Sequence, residues 1–150
     1  MKAPSPVLVV DAAILVAAVR GRSSGAIREA ARHSVLTTTN RVLVEARRRI
    51  ELGMKRPELL PLLESLAREL TVAVAANFEP VIGKAEAALQ DAVVSRNGST
   101  RDAHLLALAW SVDGDIWSGD RDFAGTGVAS WTTPNLMRGY ACERAQRENS

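Results

Sequence analysis

Ser118, Asp120 and Asp122 stand at alternate positions in the stretch Asp115-Ile116-Trp117-Ser118-Gly119-Asp120-Arg121-Asp122-Phe123. Its apolar start reads as a short buried strand that ends in a hydroxyl and then delivers two carboxylates in quick succession. A strand tip holds charge rigidly, and two acids this close repel each other unless a cation sits between them. The chemistry that fits is oxygen ligation of a metal ion. A turn fits the same residues, with Asp120 or Asp122 capping the helical turn that follows. Taken alone the stretch is satisfied by the turn, so the question is whether other segments bring acids to the same place.

Three more acids are candidates, each with a structural explanation of its own. Asp11 closes the apolar run Val7-Leu8-Val9-Val10, where it is either a ligand at a strand tip or the cap of the helix Ala12–Val19. Glu45 lies about one and a half turns into a helix, at the margin of the face formed by Val42, Leu43, Ala46 and Ile50. It is either turned inward or solvated. Asp102 falls in the first turn of a helix expected over Thr100–Trp110, and Ser99-x-x-Asp102 also has the form of a capping box. His104 beside it reads as a surface or internally satisfied histidine rather than a ligand.

The elements that must position these acids alternate. Strands are expected at 7–10, at Val35–Thr39, at Thr71–Ala75, before Ser118, and at Val128–Trp131. Helices are expected at 12–19, 24–31, 41–52 (with Thr39 or Asn40 as cap and Gly53 as stop), from Pro57, at 78–94, at 100–110, and from Thr133. Arg96-Asn97-Gly98-Ser99 reads as a loop, and the terminal helix decays into a polar tail after Tyr140. This alternation predicts a three-layer α/β domain with a mainly parallel sheet of four to five strands flanked by helices. Sites in such sheets lie outside the carboxyl ends of the strands. The separate explanations account for each acid but not for their gathering on that edge. Crowded carboxylates raise each other's pKa unless a hard divalent cation, Mg2+ or Mn2+, relieves them.

Composition narrows the classes. The chain of 150 residues is a one-domain length, read as a single unit over 1–150 with a core at about 7–135 and a polar tail at about 141–150. Its 47% apolar and 24% charged residues are ordinary for a soluble globular protein. Net charge is +2, but the cations are nearly all Arg, which suits phosphate recognition and also follows from coding bias. The single Cys142 excludes an internal disulfide and a Cys-rich zinc site, and points to a reducing compartment. Lys2 and the apolar run to Val19 look like a signal peptide at first. A central Asp11, however, costs about 2.5–3.5 kcal/mol of membrane insertion, and the run is too short to span a bilayer. A cytoplasmic protein with no membrane association is the expectation. No Asp-x-Asp-x-Thr follows the first strand and there is no Gly-rich phosphate loop, which disfavours phosphatases and kinases.

Taken together, Val9-Val10-Asp11, Thr38-Thr39-Asn40-Arg41-Val42-Leu43-Val44-Glu45, Arg101-Asp102-Ala103-His104-Leu105-Leu106-Ala107-Leu108-Ala109 and Ile116-Trp117-Ser118-Gly119-Asp120-Arg121-Asp122-Phe123 resemble the acidic signature of a PIN domain. The spacing onward to Gly125-Thr126-Gly127 and Trp131-Thr132-Thr133 is similar to one branch of VapC-like toxins. The resemblance covers roughly Val7 to Asn135.

It implies a Mg2+-dependent ribonuclease, with Mn2+ able to substitute, that cleaves single-stranded or loop RNA such as tRNA through a metal-activated water. The catalytic acids would be Asp11, Glu45, Asp102, Asp120 and Asp122, with Asp11, Asp102, Asp120 and Glu45 as ligands of one or two ions. Ser118 and Thr39 would support them. Arg20, Arg22, Arg41, Arg47 and Arg48, with Arg49, would follow the RNA backbone or else form a solvated helix face. A toxin of this kind implies a cognate antitoxin and a homodimer, for which the Leu59–Leu66 segment offers spare apolar surface. A non-toxin RNA-processing PIN nuclease and a non-catalytic RNA- or protein-binding module are the alternatives.

Overall fold

The structure, a computed structural model, describes residues 3–22, 24–90, 103–119, 123 and 126–149. Asp102, Asp120 and Asp122, with the expected 96–99 loop and the start of the helix after it, lie outside the described residues. In chain order the elements are β1 (Val7–Val10), α1 (Ala12–Val19), α2 (Ser24–His33), β2 (Val35–Thr39), α3 (Asn40–Arg48), α4 (Leu60–Arg68), β3 (Thr71–Ala73), α5 (Glu79–Gln90), α6 (Ala103–Val112), β4 (Asp115–Trp117), β5 (Ser130–Trp131) and α7 (Thr133–Glu148).

The five strands form one sheet in the order β3-β2-β1-β4-β5, and every pairing is parallel. The expected α/β architecture is therefore what the chain adopts, with a wholly parallel sheet. Parallel strands need crossovers, and helices supply them, so the central strands are covered on both faces. Leu8, Val9, Val10, Ile116 and Trp117 accordingly have no exposed surface. Above them α1 is apolar nearly all round, and α6 buries every residue from Ala103 to Ala109. A strand order that runs outward from β1 in both directions makes a topological switch between β1 and β4, the place where such sheets open a crevice.

Several element ends differ from expectation, each for a local reason. β3 stops at Ala73, because the Asn40 side-chain oxygen accepts from the Ala75 N–H (2.8 Å) and draws the chain off the sheet edge into a 3-10 turn over Ala75–Phe78. α3 begins at Asn40 and widens at its end into a π-helical turn over Arg49–Gly53, closed by Met54 N–H to the Arg49 carbonyl (2.8 Å). Pro57 starts a 3-10 turn, and α4 follows only from Leu60. The β5 strand is confined to Ser130–Trp131. The polar segment after Tyr140 is not a decaying tail: α7 continues to Glu148, with Arg147 paired to Glu143 (2.8 Å) and Arg144 reaching Glu29 on α2 (3.5 Å). His33 of α2 stacks on Tyr140 with ring centroids 4.4 Å apart, which fixes where that helix docks. Among the described residues, no helix is long and apolar enough to cross a membrane.

Candidate functional site

Register brings the first two site residues together. Leu8, Val9 and Val10 pair with Asp115, Ile116 and Trp117, so the next step along each strand sets Asp11 beside Ser118. The Asp11 N–H donates to the Trp117 carbonyl (3.2 Å), and the Ser118 N–H donates to the Trp131 carbonyl (2.9 Å). These bonds carry the parallel ladder one residue past the strands and hold both side chains at the carboxyl edge, at the switch point.

Asp11 proves to be a cap and more. Its Oδ1 accepts from the Ile14 N–H (3.0 Å), the N-cap bond of α1. Its Oδ2 accepts from the hydroxyl of Ser118, which is fully buried. A carboxylate only accepts, so Ser118 must donate there, and its single proton is committed. A carboxylate oxygen can accept more than once, so neither bond is incompatible with ligation. The α1 N-terminus adds a favourable field for the negative charge.

The β2 tip is fastened to the same edge. The Thr38 hydroxyl donates to the Val10 carbonyl (2.8 Å), the group just before Asp11. Thr39, also without exposed surface, accepts from the Val42 N–H (3.1 Å) as cap of α3 and meets His104 Nδ1 on α6 at 2.8 Å. His104 is buried rather than on the surface, with Nδ1 bonded. Burial first, and the charge of Arg41 second, push its pKa down to about 4, with Glu45 opposing. It is neutral at physiological pH.

Glu45 sits on the partly exposed margin of α3 and accepts from Arg49 Nη2 at 2.8 Å. That partner was not anticipated, although Glu followed by Arg four residues on is a recognised helical pair. Glu45 is also part of the wall of an open groove of about 530 Å3, together with Asn40, Arg41, Arg48 and Arg49. Arg41 additionally approaches Glu79 (3.4 Å), and Arg47, also exposed, is not among the groove's lining. Arg20 and Arg22 are exposed at the far end of α1, where their N–H groups close the helix.

Asp11, Ser118, Thr39 and Glu45 therefore occupy the carboxyl edge and the helix next to it, while the other three acids fall outside the described residues. Among the described residues no group of three or more His, Cys, Asp or Glu is placed to hold a metal. The described donors are hard oxygens, the class that suits Mg2+ or Mn2+ rather than zinc or copper.

Comparison with known proteins agrees with the fold. The sequence profile of the PIN domain matches residues 9–140. No curated protein matches the chain at a significant level. Among solved structures, the Mycobacterium tuberculosis toxin VapC20, titled as cleaving the sarcin-ricin loop, superposes with a TM-score of 0.63 at 16% identity, covering 81% of this chain and 96% of that one. VapBC2 from Rickettsia felis, bound to a DNA fragment from its promoter, gives 0.66 at 14% identity, covering 84% and 98%. PAE2754 from Pyrobaculum aerophilum gives 0.58 at 18% identity, covering 90% of each chain. At these identities the likeness is one of fold.

Proposed function

The chain belongs to the PIN domain family, and on that premise we propose that it is a divalent-cation-dependent endoribonuclease, the toxin of a toxin–antitoxin pair. The observation that carries the reading is the Asp11–Ser118 pair at the switch point, where a buried hydroxyl aligns a carboxylate that already faces the open edge. Asp11, Asp102 and Asp120 are the proposed ligands, with Glu45 and Asp122 acting directly or through water. Mg2+ is the ion, replaceable by Mn2+. Bound there, the cation supplies Lewis acidity, making a water nucleophilic near neutral pH and offsetting charge on the phosphodiester.

The protein's own residues do the rest. Ser118 and the Ile14 N–H fix the two oxygens of Asp11, so its rotation is settled before ligand arrives. Glu45 holds Arg49 on the wall of the same groove, so a carboxylate and a guanidinium stand side by side where substrate would lie. Arg41, Arg48 and Arg49 line the groove that Glu45 shares, and a phosphate backbone is its natural occupant. Arg20, Arg22 and Arg47 lie farther out and contribute charge without lining it. Two VapC or VapBC proteins among the structural neighbours support the toxin reading and a protein partner. The leucine-rich segment has room for one: Leu59 and Leu63 are core, whereas Leu62 is 54% exposed and with Leu66 lines an apolar groove of about 420 Å3 beside Ala18, Ile27 and Ala31. An antitoxin segment there, a homodimer and a cytoplasmic setting complete the proposal.

The test is cleavage of total RNA in Mg2+, Mn2+ and chelator arms with the new ends mapped, run on the wild type and Asp11→Asn. Discrete cuts in the metal arms, lost with chelator and in the folded variant, are expected. Unchanged cleavage by Asp11→Asn would remove the site assignment. The absence of any metal-dependent cut would favour a binding module instead.

A further inference from the structure

Thr39 and His104 come from elements 65 residues apart, and their contact joins the cap of α3 to the start of α6. The hydroxyl of Thr39 already accepts from the Val42 N–H. If His104 Nδ1 also donated to it, the buried hydroxyl proton would have no acceptor among the described residues, and burying an unmade hydrogen bond is unfavourable. The bond therefore runs from the Thr39 O–H to an unprotonated Nδ1, and the neutral ring carries its proton on Nε2. The ring is buried, and Nδ1 is the nitrogen whose partner the described residues supply.

We propose that His104 is a positioning residue of the cation site, its Nδ1 accepting from Thr39 and thereby fixing the start of α3, the helix that carries Glu45. The inference rests on the reading of that edge as a divalent-cation site. Second hydrogen bonds of this kind hold ligands in place and tune metal affinity by roughly 10–100-fold when removed. Glu45, two turns along from the cap, loses its placement if the clamp goes.

Two measurements test it. Long-range 1H–15N spectra of the metal-free protein at pH 7 report the tautomer directly: an unprotonated Nδ1 with protonated Nε2 is expected, and the opposite tautomer overturns the proposal whatever the protein does with metal. Mn2+ affinity, read from loss of the free-ion electron paramagnetic resonance signal, is then compared in wild type, His104→Leu, His104→Asn and Thr39→Val, each checked for folding by circular dichroism. About tenfold weaker binding is expected in His104→Leu. His104→Asn, which places an acceptor where Nδ1 was, is expected to recover part of that loss, whereas Thr39→Val, which cannot donate to Nδ1, is expected to lose about as much as His104→Leu. Wild-type affinity in a folded His104→Leu overturns the proposal. Should His104→Leu not fold, weakened binding in Thr39→Val with a smaller loss in His104→Asn supports the clamp, and wild-type affinity in all the folded variants overturns it. A wild type that binds no Mn2+ at all overturns the cation-site reading itself, a result distinct from a tight-binding wild type whose variants are unaffected.

Discussion

At Asp11 one carboxylate caps a helix through Oδ1 and receives the Ser118 hydroxyl at Oδ2, so substitutions there separate structure from chemistry. Asparagine can still accept from the Ile14 N–H but sets an amide donor against the Ser118 hydroxyl, whereas alanine loses both acceptors. Asp11→Ala is expected to lower unfolding free energy by about 2–4 kcal/mol and Asp11→Asn by about 1–2 kcal/mol, read from urea midpoints. A loss as large in the asparagine variant would mean that the carboxylate's charge, not its geometry, holds the edge together. His104 gives a pH signature in the metal-free protein. Its folded pKa of about 4 lies below the usual histidine value of 6.5, so between these values the unfolded chain binds more protons. Its contribution is therefore intact above about pH 6.5 and is lost as pH falls toward 4, amounting to about 2 kcal/mol at pH 5. A urea series at pH 7 and pH 5 checks this, and His104→Asn should flatten the difference. Asp11 at the tip of β1 was legible from residue types and spacing, while Asp102, Asp120 and Asp122 lie outside the described residues. The hydroxyl partners were not legible, because Thr37, Thr38 and Thr39 bond to groups 34, 28 and 65 residues away, which a one-dimensional pattern does not encode.

Elements were legible wherever the chain satisfies itself locally. β-branched runs gave β1 and β2, and Gly or Pro marked some of the ends, such as Gly21 after α1 and Pro134 at the start of α7. Where a distant group decides, the boundary moved: Asn40 ends β3, and Glu29 on α2 helps α7 to continue past Tyr140. The turn between α6 and β4 shows the same coupling at a single glycine. Asp113 takes a left-handed φ of 52°, and a Cβ on Gly114 would come within 2.8 Å of the Val7 carbonyl oxygen on β1. That backbone is pinned in the sheet and cannot move aside. Gly114→Ala is expected to cost about 1–3 kcal/mol in thermal or urea unfolding, and because β1 carries Asp11 the loss of Mn2+ affinity should accompany it. A fully stable Gly114→Ala would show that β1 is looser than the sheet order requires.

For the whole molecule, alternation of strands and helices was enough to predict a parallel α/β sheet, and the observed order β3-β2-β1-β4-β5 puts its topological switch between β1 and β4. Net charge said little about RNA, since +2 is spread over the chain. Its clustering matters more: Arg41, Arg48 and Arg49 share one groove with Glu45. Replacing Arg48 by Ala should weaken binding of unrelated RNAs to a similar extent and reduce the magnitude of the salt slope of log K by about 0.7, the share of one single-strand phosphate contact. An unchanged slope would take that arginine off the RNA path. The most direct measurement is manganese anomalous scattering from crystals of the wild-type protein soaked in Mn2+. A peak within about 2.5 Å of an Asp11 carboxylate oxygen is expected; saturating Mn2+ that leaves Asp11 without a peak would contradict the proposed cation site.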